Sequence, residues 1–355
     1  MDKKLFLQIL LDSQVLASLN EQGYDALLRI LRQTDLVSSF GFLTKTHENQ
    51  EVLPVYMQTH VNASKVFSDA QTRQVFSACA LIKKAADDLG IELLFLKGAA
   101  YCLRQTQNSR GRLFSDIDIL VKVEDLNTLE SYLNANGWKS KELNDYDDKY
   151  YREWSHELPP FTHLATGVSL DIHHTLLPTV SHYRVDIEDL WRNELKLNSG
   201  FSVPNHAYLI LHSAIHLLLN EDVEKGFRDL LDINLLIIEY MEDEDLERLK
   251  AVFCRSGFEF EFDLLIELLN KCFDCRYKLP STSPSYMLAF WCNAYYKSIF
   301  PAMLELQTKT YRALRLLVYI KGHLNKMPFR LFIKHIIYKA SRSLTKKLFG
   351  DFIFK

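Results

Sequence analysis

Asp116-Ile117-Asp118-Ile119-Leu120-Val121 is the stretch that decides the fold. Acidic and apolar residues alternate with period two, the spacing of a strand with one polar and one buried face. Asp116 and Asp118 therefore project together, while Ile117, Ile119 and Val121 enter a core. A second Asp-x-Asp, in Asp243-Glu244-Asp245, lacks this alternation and reads as the solvated start of a helix.

The flanks agree with a strand. Upstream, Ile91-Glu92-Leu93-Leu94-Phe95-Leu96 is a short apolar run that reads as a buried strand ending at Lys97-Gly98. One or two helical turns are expected over 99–105, then a polar loop over 107–112. Downstream, Glu124-Asp125 opens a helix whose buried stripe is Leu126, Leu129 and Leu133, and Gly137 ends it. Further strands are expected near 138–143 and 168–173. In the later one Ser169, Asp171 and His173 share a face.

Asp116, Asp118 and Asp171 thus supply three carboxylates on the polar faces of two short strands. Hard divalent cations such as Mg²⁺ prefer such oxygen ligands and complete their shell with phosphate oxygens and water. Gly98, without a Cβ, lets backbone N–H groups approach phosphate at the start of the following helix. Lys97 and Arg112 are the cations placed to neutralise it.

The remaining chain reads as helical. Residues 1–88 form an N-terminal helical region, with Ser68-Asp69-Ala70-Gln71 as a capping box for a helix reaching Leu89. Residues 89–195 form the α/β domain, 196–308 a C-terminal helical domain, and 309–355 a basic helical tail split by Pro328. Helices are expected over 206–220 and 223–240, two more before Pro280, and a linker at Ser281-Thr282-Ser283-Pro284. The expected class is α+β, a small mixed sheet flanked by N-terminal and C-terminal helical regions.

Composition sets the bounds. The 355 residues are 48% hydrophobic and 25% charged, which excludes a disordered chain. With only 12 glycines, a turn-rich all-β protein is excluded too. The net charge of −3 hides an asymmetry: residues 309–355 hold twelve Lys/Arg and one acid, a net +11, so the body carries −14. That tail is a candidate for packing on the acidic body or for an anionic partner, a membrane surface or nucleic acid. No apolar run is long enough to span a bilayer, and the N-terminus does not read as a signal peptide. Six dispersed cysteines fit a reducing cytoplasm. The expected location is cytoplasmic or peripheral to a membrane.

The ordered set Leu96-Lys97-Gly98, Arg112, Asp116-Ile117-Asp118-Ile119-Leu120-Val121 and Asp171-Ile172-His173 resembles the polymerase-beta-like nucleotidyltransferase superfamily. It is most similar there to a family of uncharacterised bacterial nucleotidyltransferases. Downstream, His212, His216 and Arg228-Asp229-Leu230-Leu231-Asp232 continue that resemblance, which covers about 70–240. The resemblance implies Mg²⁺- or Mn²⁺-dependent transfer of a nucleoside monophosphate from an NTP to an unidentified acceptor, with release of pyrophosphate. It implies metal ligation and catalysis by Asp116, Asp118 and Asp171, and nucleotide contacts from Lys97, Gly98, Arg112 and Arg228. His173 and Asp232 would support them from behind.

Rival readings remain in the residues themselves. The same acids would serve a two-metal nuclease or phosphohydrolase, and a degenerate domain would bind nucleotide or a partner without turnover. Arg228 and Asp232, one turn apart, would form an i,i+4 ion pair in the plainest reading. His212 and His216 read as packing or cleft residues, Cys272 and Cys275 as structural thiols. His156 and Glu157-Leu158-Pro159-Pro160 read as a turn near the acceptor side.

Overall fold

The computed structural model describes residues 1–46, 53–221, 223, 225–242, 244–277, 284–304, 308–334 and 336–338. Four helices lead: α1 (Lys3–Leu11), α2 (Glu21–Gln33), α3 (Val37–Leu43) and α4 (Val55–Leu89). Asp2 and Asn20 cap the first two by accepting from the N–H groups of Leu5 and Gly23. The expected cap at Ser68 does not form, because α4 runs unbroken through it. The buried Ser68 hydroxyl bonds the Lys65 carbonyl and the Ser38 hydroxyl instead, tying α4 to α3. Gly90, at φ +67°, ends the helix where the sequence places its stop.

The sheet follows. Its elements are β1 (Leu93–Phe95), α5 (Lys97–Arg104), β2 (Ile117–Val121), α6 (Leu126–Ala135), β3 (Trp138–Ser140), α7 (Asp145–Glu153), β4 (Phe161–His163) and β5 (Ser169–His173). Strand order is β1-β2-β5-β4-β3. β2 and β5 run parallel and the other neighbours antiparallel, so the sheet is mixed. The parallel register sets Asp118 opposite Asp171 and Ile119 opposite Ile172. β2 is buried on both faces, including Leu120 on the carboxylate side.

The acidic, aromatic α7 and the strand β4 escape the sequence reading, and β3 stops at Ser140 rather than reaching 143. After α8 (Ile187–Arg192) the chain makes a hairpin of β6 (Glu194–Lys196) and β7 (Ser202–Pro204) where helix was expected. Phe201 beside β7 meets Phe95 edge-on at 5.5 Å, which seats the hairpin against β1.

Among the described residues six longer helices follow: α9 (His206–Leu219), α10 (Gly226–Tyr240), α11 (Leu246–Arg255), α12 (Glu259–Phe273), α13 (Ser285–Ser298) and α14 (Lys309–Lys326). One contiguous apolar core reaches from Phe6 through the sheet to Val318. The architecture is α+β, with helices flanking the sheet.

The basic tail divides at Pro328 as read from sequence. α14 buries Tyr311, Leu314, Val318 and Gly322, and helical backbone resumes over 329–334. Beyond Pro328, Phe332 is buried while Ile336 and Ile337 are exposed. Lys339, Arg342, Lys346, Lys347, Asp243 and residues 281–283 lie outside the described residues. Among the described residues no helix is long and apolar enough to cross a membrane. All six cysteines are free thiols.

Candidate active site

Asp118 is buried at 6% exposure on the face that β2 shares with β5. Its Oδ1 lies 3.0 Å from His173 Nε2 and 3.9 Å from Lys97 Nζ. Burial opposes ionisation of this carboxyl, but Lys97 and the His173 hydrogen bond outweigh it and hold Asp118 well below the usual carboxylate range. Asp116, just before β2, accepts from the Ser115 hydroxyl at 2.9 Å. Asp171 behaves oppositely. Burial first, then the charges of Asp118, Glu157 and Asp116, push its carboxyl up to about 7.

Lys97 occupies the tight corner between β1 and α5 at φ +39°, a left-handed conformation rare for a side-chain-bearing residue. Gly98 follows. A Cβ there would meet Phe114 Cδ1 at 3.0 Å and an Arg112 guanidinium nitrogen at 3.3 Å. Glycine is thus what lets the Arg112 loop close over α5. That loop is pinned by Gln71 of α4, which exchanges two 3.1 Å hydrogen bonds with the Phe114 backbone.

Arg112 and Asp232 form a buried ion pair, Nε to Oδ2 at 2.8 Å, with the guanidinium 5.5 Å from the Tyr101 and Phe114 ring centres. This corrects the i,i+4 reading: Asp232 takes Arg112, from a different element, in place of Arg228. Arg228 instead lies 3.5 Å from both Asp35 and Asp229, and its buried Nε has no partner.

A cleft of about 160 Å³ gathers these residues. Its walls include Lys97, Gly98, Arg112, Asp116, Asp118, Arg228 and Asp232, with Tyr101, Ser115, Ser213, His216 and Asp229 completing them. Three cationic side chains and four carboxylates therefore share one small space. Asp171 does not line it and stands behind Asp118 across the strand pair.

A family described as "uncharacterised nucleotidyltransferase" matches residues 20–274. The chain belongs to this nucleotidyltransferase family. The match extends beyond the 70–240 resemblance and takes in α2, α3 and the helices through α12. Two solved structures are similar. One is the solution structure of the antibiotic-resistance factor ANT(2'')-Ia, at 16% identity and TM-score 0.36, over 55% of this chain and 96% of that one. The other is the crystal structure of an antigenic nucleotidyltransferase-like protein from Paracoccidioides brasiliensis, at 14% and 0.31, over 58% and 94%. No curated protein matches in sequence.

The carboxylates of this nucleotidyltransferase suit a divalent cation. Asp171 Oδ1 is buried without a hydrogen-bond partner, an open acceptor beside the carboxylates of Asp116 and Asp118. Sequence reasoning did not single out Tyr101, Ser213, Asp229 or Ser115. Tyr101 and Ser213 share a buried 2.5 Å hydrogen bond that joins α5 to α9. Nothing in their local sequence separates them from ordinary helix residues. Glu157 and His156 were placed only in a turn, yet Glu157 bridges to His173 of β5 and its carboxylate lies 3.6 Å from His173 Nε2. His212, buried on α9, sets its ring 6.4 Å from that of His173.

Proposed function

We propose that the protein transfers a nucleoside monophosphate from an NTP to an acceptor, releasing pyrophosphate, with Mg²⁺ or Mn²⁺ held by Asp116, Asp118 and Asp171. The observation that carries this is the cleft itself: Lys97, Arg112 and Arg228 face Asp116 and Asp118, and the β2–β5 register puts Asp171 opposite Asp118. Divalent ions at such carboxylates supply charge for the phosphates and activate an attacking oxygen.

The chain's own residues carry the rest. Lys97 and Arg112 bind the triphosphate by charge, and Gly98 lets the Arg112 loop close onto the start of α5. Asp232 holds Arg112 at its post while satisfying only part of its fork of donors. Asp171, opposite Asp118 across the strand pair, shares the metal and helps deprotonate the acceptor. Arg228 closes the cleft from α10, its free Nε being a donor for a phosphate oxygen.

The test is incubation with Mg²⁺ and α-labelled NTPs against cell extract, beside an Asp116→Asn/Asp118→Asn variant. Label joined to an acceptor by the native protein and lost in the variant is the expected result. Transfer that survives the variant refutes the assignment. Cleavage of nucleic acid without adduct supports the nuclease reading, and NTP binding without pyrophosphate release supports a binding module.

A further inference from the structure

Beside Asp118 stands a second group of side chains, of which only His173 has been given a part in the nucleotidyl-transfer site. His156, Glu157 and His173 each offer one ligand atom, and the three atoms lie within 4.8 Å of one another. His156 Nε2 is 3.8 Å and His173 Nε2 3.6 Å from Glu157 Oε2. In a tetrahedral site with bonds near 2.0–2.1 Å, ligand atoms stand about 3.3 Å apart. Both histidine-to-Glu157 distances are thus within about half an ångström of that spacing.

The backbone holds it there. Leu158 N–H donates to the Ile172 carbonyl and His174 N–H to the His156 carbonyl, both at 2.9 Å. These bonds fix 156–158 alongside β5 and aim Glu157 at His173.

We infer that His156, Glu157 and His173 form a site for one transition-metal ion of the zinc type, adjacent to the Mg²⁺ carboxylates and distinct from them in chemistry. Imidazole nitrogen selects zinc, cobalt or nickel, whereas an all-oxygen set suits magnesium. Three protein ligands leave a fourth position open, and Asp118 Oδ1 lies 3.0 Å from His173 Nε2. Binding through His173 Nε2 expels to solvent the proton shared with Asp118. The ion therefore competes for an oxygen that the Mg²⁺ site uses.

The full chain, stripped with a chelator and held in excess Mg²⁺, is titrated with Co²⁺ and followed by visible absorption, with no nucleotide present. One equivalent with the intense bands of a four-coordinate ion, displaced by Zn²⁺, is expected. Glu157→Gln and His156→Gln, both at partly exposed side chains, should each weaken binding at least ~10-fold. Asp116→Asn should leave it unchanged. Weak six-coordinate bands, indifference to both substitutions, or loss of binding in Asp116→Asn overturns the inference. Should a variant unfold by circular dichroism, the imidazole nitrogen resonances of the native protein decide. Shifts of two rings on adding Zn²⁺ support the site, and none refutes it. Because nucleotide is absent, this outcome is independent of whether transfer occurs.

Discussion

Asp118 and Asp171 stand opposite each other across the parallel pair β2–β5, and their surroundings drive the two carboxyls apart. Asp118 has Lys97 and the His173 hydrogen bond, which hold it ionised despite burial. Asp171 has burial and three neighbouring acids, and its carboxyl is pushed up to about 7. One member of the pair is ready as an anion and the other waits for positive charge, which a divalent ion would bring.

This difference has a sign in stability. In metal-free protein, folded Asp171 keeps its proton up to about pH 7, whereas unfolded it releases it near pH 4. The folded state then binds more protons in that window, so stability falls as pH rises from about 4 to 7. Asp171→Asn removes the penalty. At pH 7.5 the variant should melt higher than the native chain, by an amount bounded by about 1.4 kcal/mol per pKa unit, and at pH 4 the two should coincide. Mg²⁺ should raise the native Tm at pH 7.5 and leave the variant's nearly unchanged. A Tm difference independent of pH contradicts the assignment.

The Arg112–Asp232 pair makes a second expectation. Asp232 is buried and Arg112 largely so, and removing one leaves an uncompensated charge. Asp232→Ala should cost about 3–5 kcal/mol in denaturant unfolding. Arg112→Met/Asp232→Leu, an apolar replacement of both, should recover most of that loss. The double variant should nevertheless bind tripolyphosphate more weakly than the native chain, since it lacks one cation of the cleft. Native affinity in the double variant would remove Arg112 from the phosphate site.

Gly98 tests the close approach of the Arg112 loop. A Cβ there presses on Phe114 and on the Arg112 guanidinium, so Gly98→Ala should cost about 1–3 kcal/mol and weaken tripolyphosphate binding several-fold. Phe114→Leu relieves part of the crowding. The two substitutions together should cost less than the sum of each, with a coupling of at least about 0.5 kcal/mol. Strict additivity would show that the ring does not carry the strain.

How much of this was legible in sequence depends on the range of the signal. Asp116, Asp118 and Asp171 were readable because period-two alternation is local and survives without knowledge of partners. Gly98 and Lys97 were readable from the end of an apolar run. The register that sets Asp118 against Asp171 was not, because pairing between strands 50 residues apart leaves no trace in either one. For the same reason Arg228 was given Asp232 on its own helix, while tertiary packing supplied Arg112 instead. β4, β6 and β7, at three residues each, are too short for any periodicity to show. Ser68 carried a genuine cap pattern that a long helix overrode by burying the hydroxyl.

The basic tail supplies the last prediction, because half of it is structural. Gly322 brings α14 so close to the end of α9 that a Cβ would meet the Asn220 carbonyl oxygen and the Glu221 backbone at 2.5 Å. Backbone cannot step aside as a side chain would. Around this contact Lys326 binds Glu221 Oε2 at 2.7 Å, and the Ser181 hydroxyl donates to the Asn325 carbonyl at 2.6 Å. Positive charge counted in the tail is thus partly spent on the acidic body. Gly322→Ala should destabilise the fold by at least about 1–3 kcal/mol, the usual cost of overpacking, read from chemical denaturation. A chain ending at residue 308 should not fold. If the chain ending at 308 folds with native stability, α14 is a docking element rather than part of the core, and the charge asymmetry belongs to a partner.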